Sequence, residues 1–183
     1  YPKEFYNFYK AKLIYPNAKP NEAHIALAKL EEIGKLKAII TQNIDGLHQA
    51  AGSKKVYELH GSVLRNYCMS CHEFYNEKFI LESDGVPTCP KCGGAVKPDV
   101  VLYEEGLDDT VIKGAIDAIS KADTLIIGGT SLVVYPAAGL INYFKGKNLI
   151  LINKSSTTAD NKADLVIHES IGKVLGKAVN FLK

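Results

Sequence analysis

Residues 37–48 read KAIITQNIDGLH, and the change of character within this stretch decides the fold. Lys37 to Thr41 is a short apolar run, of a length and composition suited to a buried strand. The chain then turns polar at once: Gln42, Asn43 and Asp45 stand where such a strand would end. In open α/β sheets, nucleotides bind at the carboxyl ends of strands, where amide and carboxylate side chains can hydrogen-bond an amide group and hydroxyls. A plainer reading also fits, in which Asp45 caps a following helix.

Working outward, residues 21–34 (NEAHIALAKLEEIG) predict a capped helix, with Asn21 before the run, Ala23, Leu27 and Leu30 near helical spacing, and Gly34 as the stop. Strand-type runs recur at 123–128 (DTLIIG), 148–152 (NLILI) and 164–167 (DLVI). Helical stretches lie between and after them, at about 109–121, 136–145 and 170–182. This alternation predicts an α/β fold, an open parallel sheet with helices on both faces. At the start of the chain, Phe5, Tyr6 and Tyr9 fall at helical intervals. Residues 63–96 break the pattern: they are loop-rich, hold every cysteine, and predict a small inserted module.

Those cysteines form two pairs, Cys68-x-x-Cys71 and Cys89-x-x-Cys92, separated by 17 residues. That spacing matches a tetrahedral zinc site of four thiolates, and a C-x-x-C turn lets two sulfurs face one ion. Pro90, Gly93 and Gly94 suit the tight turns of such knuckles. With four thiolates the coordination shell is closed to water, so the zinc is expected to be structural, and His72 is not needed as a ligand. Buried free thiols or a redox pair are the alternatives, and the redox pair lacks the strand-to-helix setting that lowers a thiol's pKa.

Composition narrows the rest. The chain has 183 residues, is 46% hydrophobic and carries a formal net charge of +2, which suits one globular protein and supplies no field that would draw in nucleic acid or an anionic membrane. No apolar run approaches the roughly 20 residues that cross a bilayer, and Tyr1 to Lys12 is too polar for a signal peptide. A cytoplasmic address is therefore expected. His60, at the end of the short run Val56 to Leu59 and followed by Gly61, can take a proton near neutral pH and so act as a general base, although a lone histidine also serves as a structural residue. Gly61 would let a substrate backbone approach.

Taken in order, TQNIDGLHQAAG (41–52), ELHG (58–61), the two C-x-x-C pairs, KPDVV (97–101) and GGTSLVVYPA (128–137) resemble the sirtuins, bacterial or archaeal in type. The resemblance covers essentially the whole chain. It implies a Rossmann-like domain, residues 1–62 and 97–183, with an inserted zinc ribbon, residues 63–96. It also implies NAD-dependent removal of acyl groups from protein lysines, releasing nicotinamide and O-acyl-ADP-ribose.

Matching positions then take the family's roles. Gln42, Asn43, Ile44 and Asp45 would line the pocket for nicotinamide and its ribose, with Asn43 and Asp45 the polar contacts nearest the reacting centre. His60 would be the base that helps deprotonate a ribose hydroxyl. Gly129, Thr130 and Ser131 would hold the phosphates and adenosine ribose, with Asn153, Lys154 and Ser155 on the adenosine half and Ile171 near adenine. Val100, Val101, Leu102 and Tyr103 would pair with the substrate peptide by β-augmentation, opposite Val134. The partners so implied are acylated lysine side chains of proteins, with no nucleic acid and no membrane.

Two departures from the family pattern carry expectations of their own. The glycine-rich G-A-G-x-S turn and the G-I-P-D-F-R segment with which the family opens do not occur in these residues, so weak NAD binding is expected of the chain as it stands. At Glu104 the family usually carries glycine. Mono-ADP-ribosyl transfer in the same pocket, or a zinc-ribbon binding module without catalysis, are the other functions this sequence admits.

Overall fold

The computed structural model describes residues 1–182. In chain order the elements are α1 (Pro2–Lys12), α2 (Glu22–Glu32), β1 (Ile39–Thr41), α3 (Leu47–Ala50), β2 (Val56–Glu58), β3 (Gly61–Cys68), β4 (Phe74–Tyr75), α4 (Glu77–Glu82), β5 (Val96–Val100), α5 (Asp109–Lys121), β6 (Thr124–Gly128), β7 (Asn148–Ile152), β8 (Leu165–Ile167) and α6 (Ile171–Asn180). They form two compact units.

The first unit comprises Tyr1–Ala18, Asn43–Gly46 and His60–Leu107. Its frame is an antiparallel sheet in the order β4-β3-β5. The core joins Tyr6, Tyr9 and Ile14 to Val63, Ile80, Val96 and Val100, with Cys68 and Cys89 also buried in it. Tyr6 and Tyr9 sit three residues apart on α1, so both point from one helix face. The Tyr6 hydroxyl donates to the carbonyl of Val96 on β5, and Phe5 stacks on Tyr9 at 5.5 Å. The aromatic face of α1 thus packs with the cysteine-bearing segment, which extends this unit well beyond residues 63–96.

The second unit, Lys19–Gln42, Leu47–Leu59 and Asp108–Lys183, is α/β. Two parallel sheets supply its strands, β1-β2 and β6-β7-β8. The helices α2 and α6 bury Ala23, Ala26, Leu175 and Val179 together with Ile152 of β7. Asn21 caps α2 as the sequence predicts: its side chain accepts from the backbone N–H groups of Ala23 and His24, and the His24 ring accepts from the backbone of Asn21. The α5 helix is capped by Asp108, whose carboxylate accepts from Thr110 and Val111. Gly114 on this helix lets the ring of Tyr57 come close, since a Cβ there would stand 2.3 Å from a ring carbon.

One expected helix takes another form. The segment expected to be helical at 136–145 is a 3-10 helix over Ala137–Tyr143. Pro136 has no N–H to contribute at its start, and Gly139 within it weakens α-helical propensity.

Candidate functional site

The four cysteine sulfurs lie within 4.8 Å of one another. Cys68 and Cys92 are 3.4 Å apart and Cys71 and Cys89 3.7 Å. Thiolates about 2.3 Å from one tetrahedral zinc are roughly 3.8 Å from each other, so the set fits that ion and its closed coordination. The two knuckles share one backbone device. His72 N–H reaches the Cys68 carbonyl at 3.0 Å, and Gly93 N–H reaches the Cys89 carbonyl at 2.9 Å. Both residues are left-handed, with φ of 59° and 75°. His72 therefore holds the turn position that glycine holds in the second knuckle.

Around the sulfurs, the Ser70 N–H lies 3.4 Å from Cys68 Sγ and the Tyr75 hydroxyl 3.0 Å from Cys89 Sγ. The Tyr75 contact draws the Cys89 thiol down to about 6, against burial, which raises it. The same contact raises the Tyr75 phenol.

Further along this unit, three segments meet beside β3. The Val63 N–H donates to the Ile44 carbonyl at 2.9 Å, and Ser62 Oγ approaches the same carbonyl at 3.4 Å. Gly61 pairs with Val100, and the Val101 N–H donates to the His60 carbonyl at 3.1 Å. Asn43, Ile44 and Asp45 are thus tied through β3 to His60 and to Val100 and Val101. Ile44 packs on the core of this unit, while Asn43 is exposed and Asp45 and His60 are half-buried. Side chains of Asn43, Asp45 and His60 thus stand at least partly exposed beside a backbone tied at the Ile44 and His60 carbonyls.

Glycines make this approach possible. Gly61 has φ +73°, and a Cβ there would stand 1.9 Å from the carbonyl oxygen of Asp99. The close neighbour at Gly61 is this chain's own backbone. Gly46, at φ +70°, would place a Cβ 2.5 Å from Leu64. Beyond β5, Leu102 N–H and the Lys97 ammonium both reach the Glu105 carboxylate, at 2.9 and 3.1 Å. These contacts hold the Glu105 carboxyl below the usual range, the Leu102 N–H contributing most. Tyr103 is fully exposed. Glu104 has φ +72°, a left-handed conformation that favours glycine.

In the second unit, Gln42 follows β1, and the remaining cofactor candidates follow the parallel strands. Gly129, with φ +62°, comes directly after β6, and its N–H donates to the Ile152 carbonyl at 3.2 Å. Thr130 Oγ1 accepts from Leu132 N–H at 3.2 Å, and Ser131 is exposed. Asn153 follows β7; its side chain donates to the Ser155 carbonyl at 2.8 Å, and Lys154 is exposed between them. Ile171 opens α6, and a Cβ on Gly128 would lie 2.2 Å from its Cδ1. The structure therefore brings Gly129 to Ser131, Asn153 to Ser155 and Ile171 to the carboxyl ends of neighbouring parallel strands, the position at which such sheets take nucleotides. Val134 lies just before the 3-10 helix and its carbonyl accepts from Ala138 N–H at 2.9 Å.

Sequence reasoning missed three contributors: Tyr75, Ser62 and the Arg65–Asp99 ion pair of 2.8 Å. Tyr75 was within reach, being four residues past Cys71 and thus close to the knuckle. The other two depend on strand register, which carries no short-range signal.

Comparison with known proteins completes this picture. The Sir2 family model matches residues 1–136. An NAD-dependent protein deacetylase of Clostridium perfringens is 83% identical over 181 residues, covering 98% of this chain and 74% of that protein. A solved Sir2 structure with a p53 peptide and NAD+ superposes with a TM-score of 0.91 at 43% identity, over 98% of this chain and 78% of that one. Another, Sir2 with an inhibitor, 2'-O-acetyl-ADP-ribose and deacetylated p53 peptide, gives 0.90 at 42% identity, over 98% and 80%. These matches place the parallel strands of the second unit and the four-cysteine cluster of the first within a class of proteins named for Sir2. The chain belongs to the Sir2 family.

Proposed function

We propose that this protein is an NAD-dependent protein lysine deacylase, with deacetylation its principal reaction. The observation that carries the reading is the backbone ties by which β3 holds Asn43 to Asp45, His60 and Val101 within one unit, in a chain 83% identical to an NAD-dependent protein deacetylase. NAD, when bound, would supply the ADP-ribosyl group that takes the acyl group from lysine with one water consumed, so that the products are nicotinamide, O-acyl-ADP-ribose and free lysine.

Asn43 and Asp45 offer an amide and a carboxylate to the nicotinamide and ribose side of the cofactor, with Gln42 and Ile44 flanking them. The His60 ring accepts a proton from a ribose hydroxyl, acting as the general base. After the turn at Gly129, Thr130 and Ser131 present hydroxyls to phosphate and ribose, and Asn153 to Ser155 with Ile171 take the adenosine half. Val100 to Tyr103, continuing β5, suit pairing with an extended peptide bearing the acylated lysine, and Val134 is a further candidate for that peptide. One zinc ion in the four thiolates holds the module. Among the described residues no helix is long and apolar enough to cross a membrane, and a cytoplasmic location agrees with bacterial relatives of this kind.

The test is mass-spectrometric detection of acyl-ADP-ribose after the protein, wild type and His60→Ala, is incubated with NAD and an acetyl-lysine peptide. Product from the wild type alone is expected. ADP-ribose fixed to protein with no acyl-ADP-ribose would point to mono-ADP-ribosyl transfer, and product from both proteins would remove His60 from its role.

A further inference from the structure

Four thiolates around one divalent cation leave an excess of negative charge on sulfur, and such sites gain from hydrogen-bond donors placed outside the ligands. The Tyr75 hydroxyl, 3.0 Å from Cys89 Sγ, is placed as one. A metal-bound thiolate has no proton, so the phenol must be the donor in that contact.

Tyr75 is held for this role from three sides. Its backbone pairs with Asn66 of β3, and Asn66, wholly buried, donates from Nδ2 to the Tyr75 carbonyl at 3.2 Å. Its ring stacks on Phe79 of α4, with centroids 4.2 Å apart and planes 28° apart. The hydroxyl is therefore aimed by a sheet pairing, a buried amide and a stacked ring, so little side-chain entropy is lost when it meets the sulfur. Nearby, Lys91 of the second knuckle meets Glu73 at 2.6 Å. That pair is well exposed and contributes little by comparison.

We propose that Tyr75 is a positioning residue of the metal centre: its hydroxyl donates to the Cys89 thiolate, orients that ligand and slows the loss of zinc. The inference rests on the four cysteines holding zinc, which the metal content of the wild-type protein checks separately.

The experiment compares zinc-loaded wild type, Tyr75→Phe and Phe74→Ala, following zinc released to the chelator 4-(2-pyridylazo)resorcinol. Phe74→Ala removes a half-exposed ring from the same strand and serves as the control. Loss of an outer hydrogen bond to a metal ligand typically costs 10–100-fold in affinity, so release from Tyr75→Phe is expected to be about tenfold faster, with Phe74→Ala near wild type. In the cobalt-substituted proteins, the sulfur-to-metal charge-transfer band is expected to shift in Tyr75→Phe alone.

Release from Tyr75→Phe within about twofold of wild type, well short of the 10–100-fold range, overturns the proposal. Failure of zinc-loaded Tyr75→Phe to fold also overturns it, because the hydroxyl would then serve the folding of the unit and not the metal. A folded wild type that holds no zinc removes the metal reading and this inference together.

Discussion

Gly61→Ala tests how tightly the backbone beside His60 is built. The new Cβ would stand 1.9 Å from the Asp99 carbonyl oxygen and 3.4 Å from Val100 Cα, at φ +73°. A left-handed alanine costs about 1–2 kcal/mol. Carbon and oxygen approach no closer than about 3.3 Å, so the strands must part by more than about 1 Å. That motion breaks the pairing of Gly61 with Val100 and of Ser62 with Asp99, and the bond from Val101 N–H to the His60 carbonyl. At about 1 kcal/mol for each lost hydrogen bond, the total is roughly 3–5 kcal/mol.

For a protein of this size such a loss lowers the melting temperature by about 10 °C. His60 is the next residue, and a displacement of about 1 Å can cost on the order of 100-fold in rate. Thermal melts by circular dichroism and turnover of an acetyl-lysine peptide measure the two effects. Gly85→Ala supplies the comparison: its φ is +62° but nothing lies within 4 Å of the added Cβ, so only the left-handed cost of about 1–2 kcal/mol applies. Wild-type melting and turnover in Gly61→Ala would refute the reasoning.

Two further outcomes are expected. Stripping the metal with a chelator, or replacing Cys89 by serine, should unfold the first unit, because binding energy at a closed structural zinc site is folding energy; near-UV circular dichroism of an unaltered metal-free protein would count against it. Glu105, its carboxyl lowered chiefly by the Leu102 N–H and then by Lys97, contributes stability that is fully present above the ordinary glutamate range and is lost as pH falls through its lower folded value. The Leu102 amide resonance should follow that titration and lose it in Glu105→Gln; a midpoint at the ordinary glutamate value would show the contact to be absent in solution.

Much of the second unit was legible because its signals are local. Asn148 to Ile152 is an apolar run that only a buried strand explains, and it forms β7 as expected. Asn21 and Gly34 mark the ends of a helix that lies between them. The first unit was harder. β3 runs for eight residues with Ser62 and Asn66 turned inward, so no alternation of apolar and polar residues announces it, and its stretch reads as loop. The helical spacing of Phe5, Tyr6 and Tyr9 was visible, but the packing of α1 depends on Tyr6 meeting Val96, 90 residues on. The cysteines were legible because metal geometry fixes their spacing, whereas Tyr75 owes its place to sheet register and ring stacking.

The pairing of β3 with β5 changes step between Ser62 and Asn66: Ser62 faces Asp99 and Asn66 faces Pro98, leaving Val63, Leu64 and Arg65 unmatched on one strand. Two registers are thereby set independently, one at the His60 end and one at the Cys68 end. A change in the turn at 84–85, between α4 and the second knuckle, can be absorbed without sliding Gly61 past Val100. Descendants of this chain are free to redecorate the exposed surface between the knuckles while the histidine keeps its address.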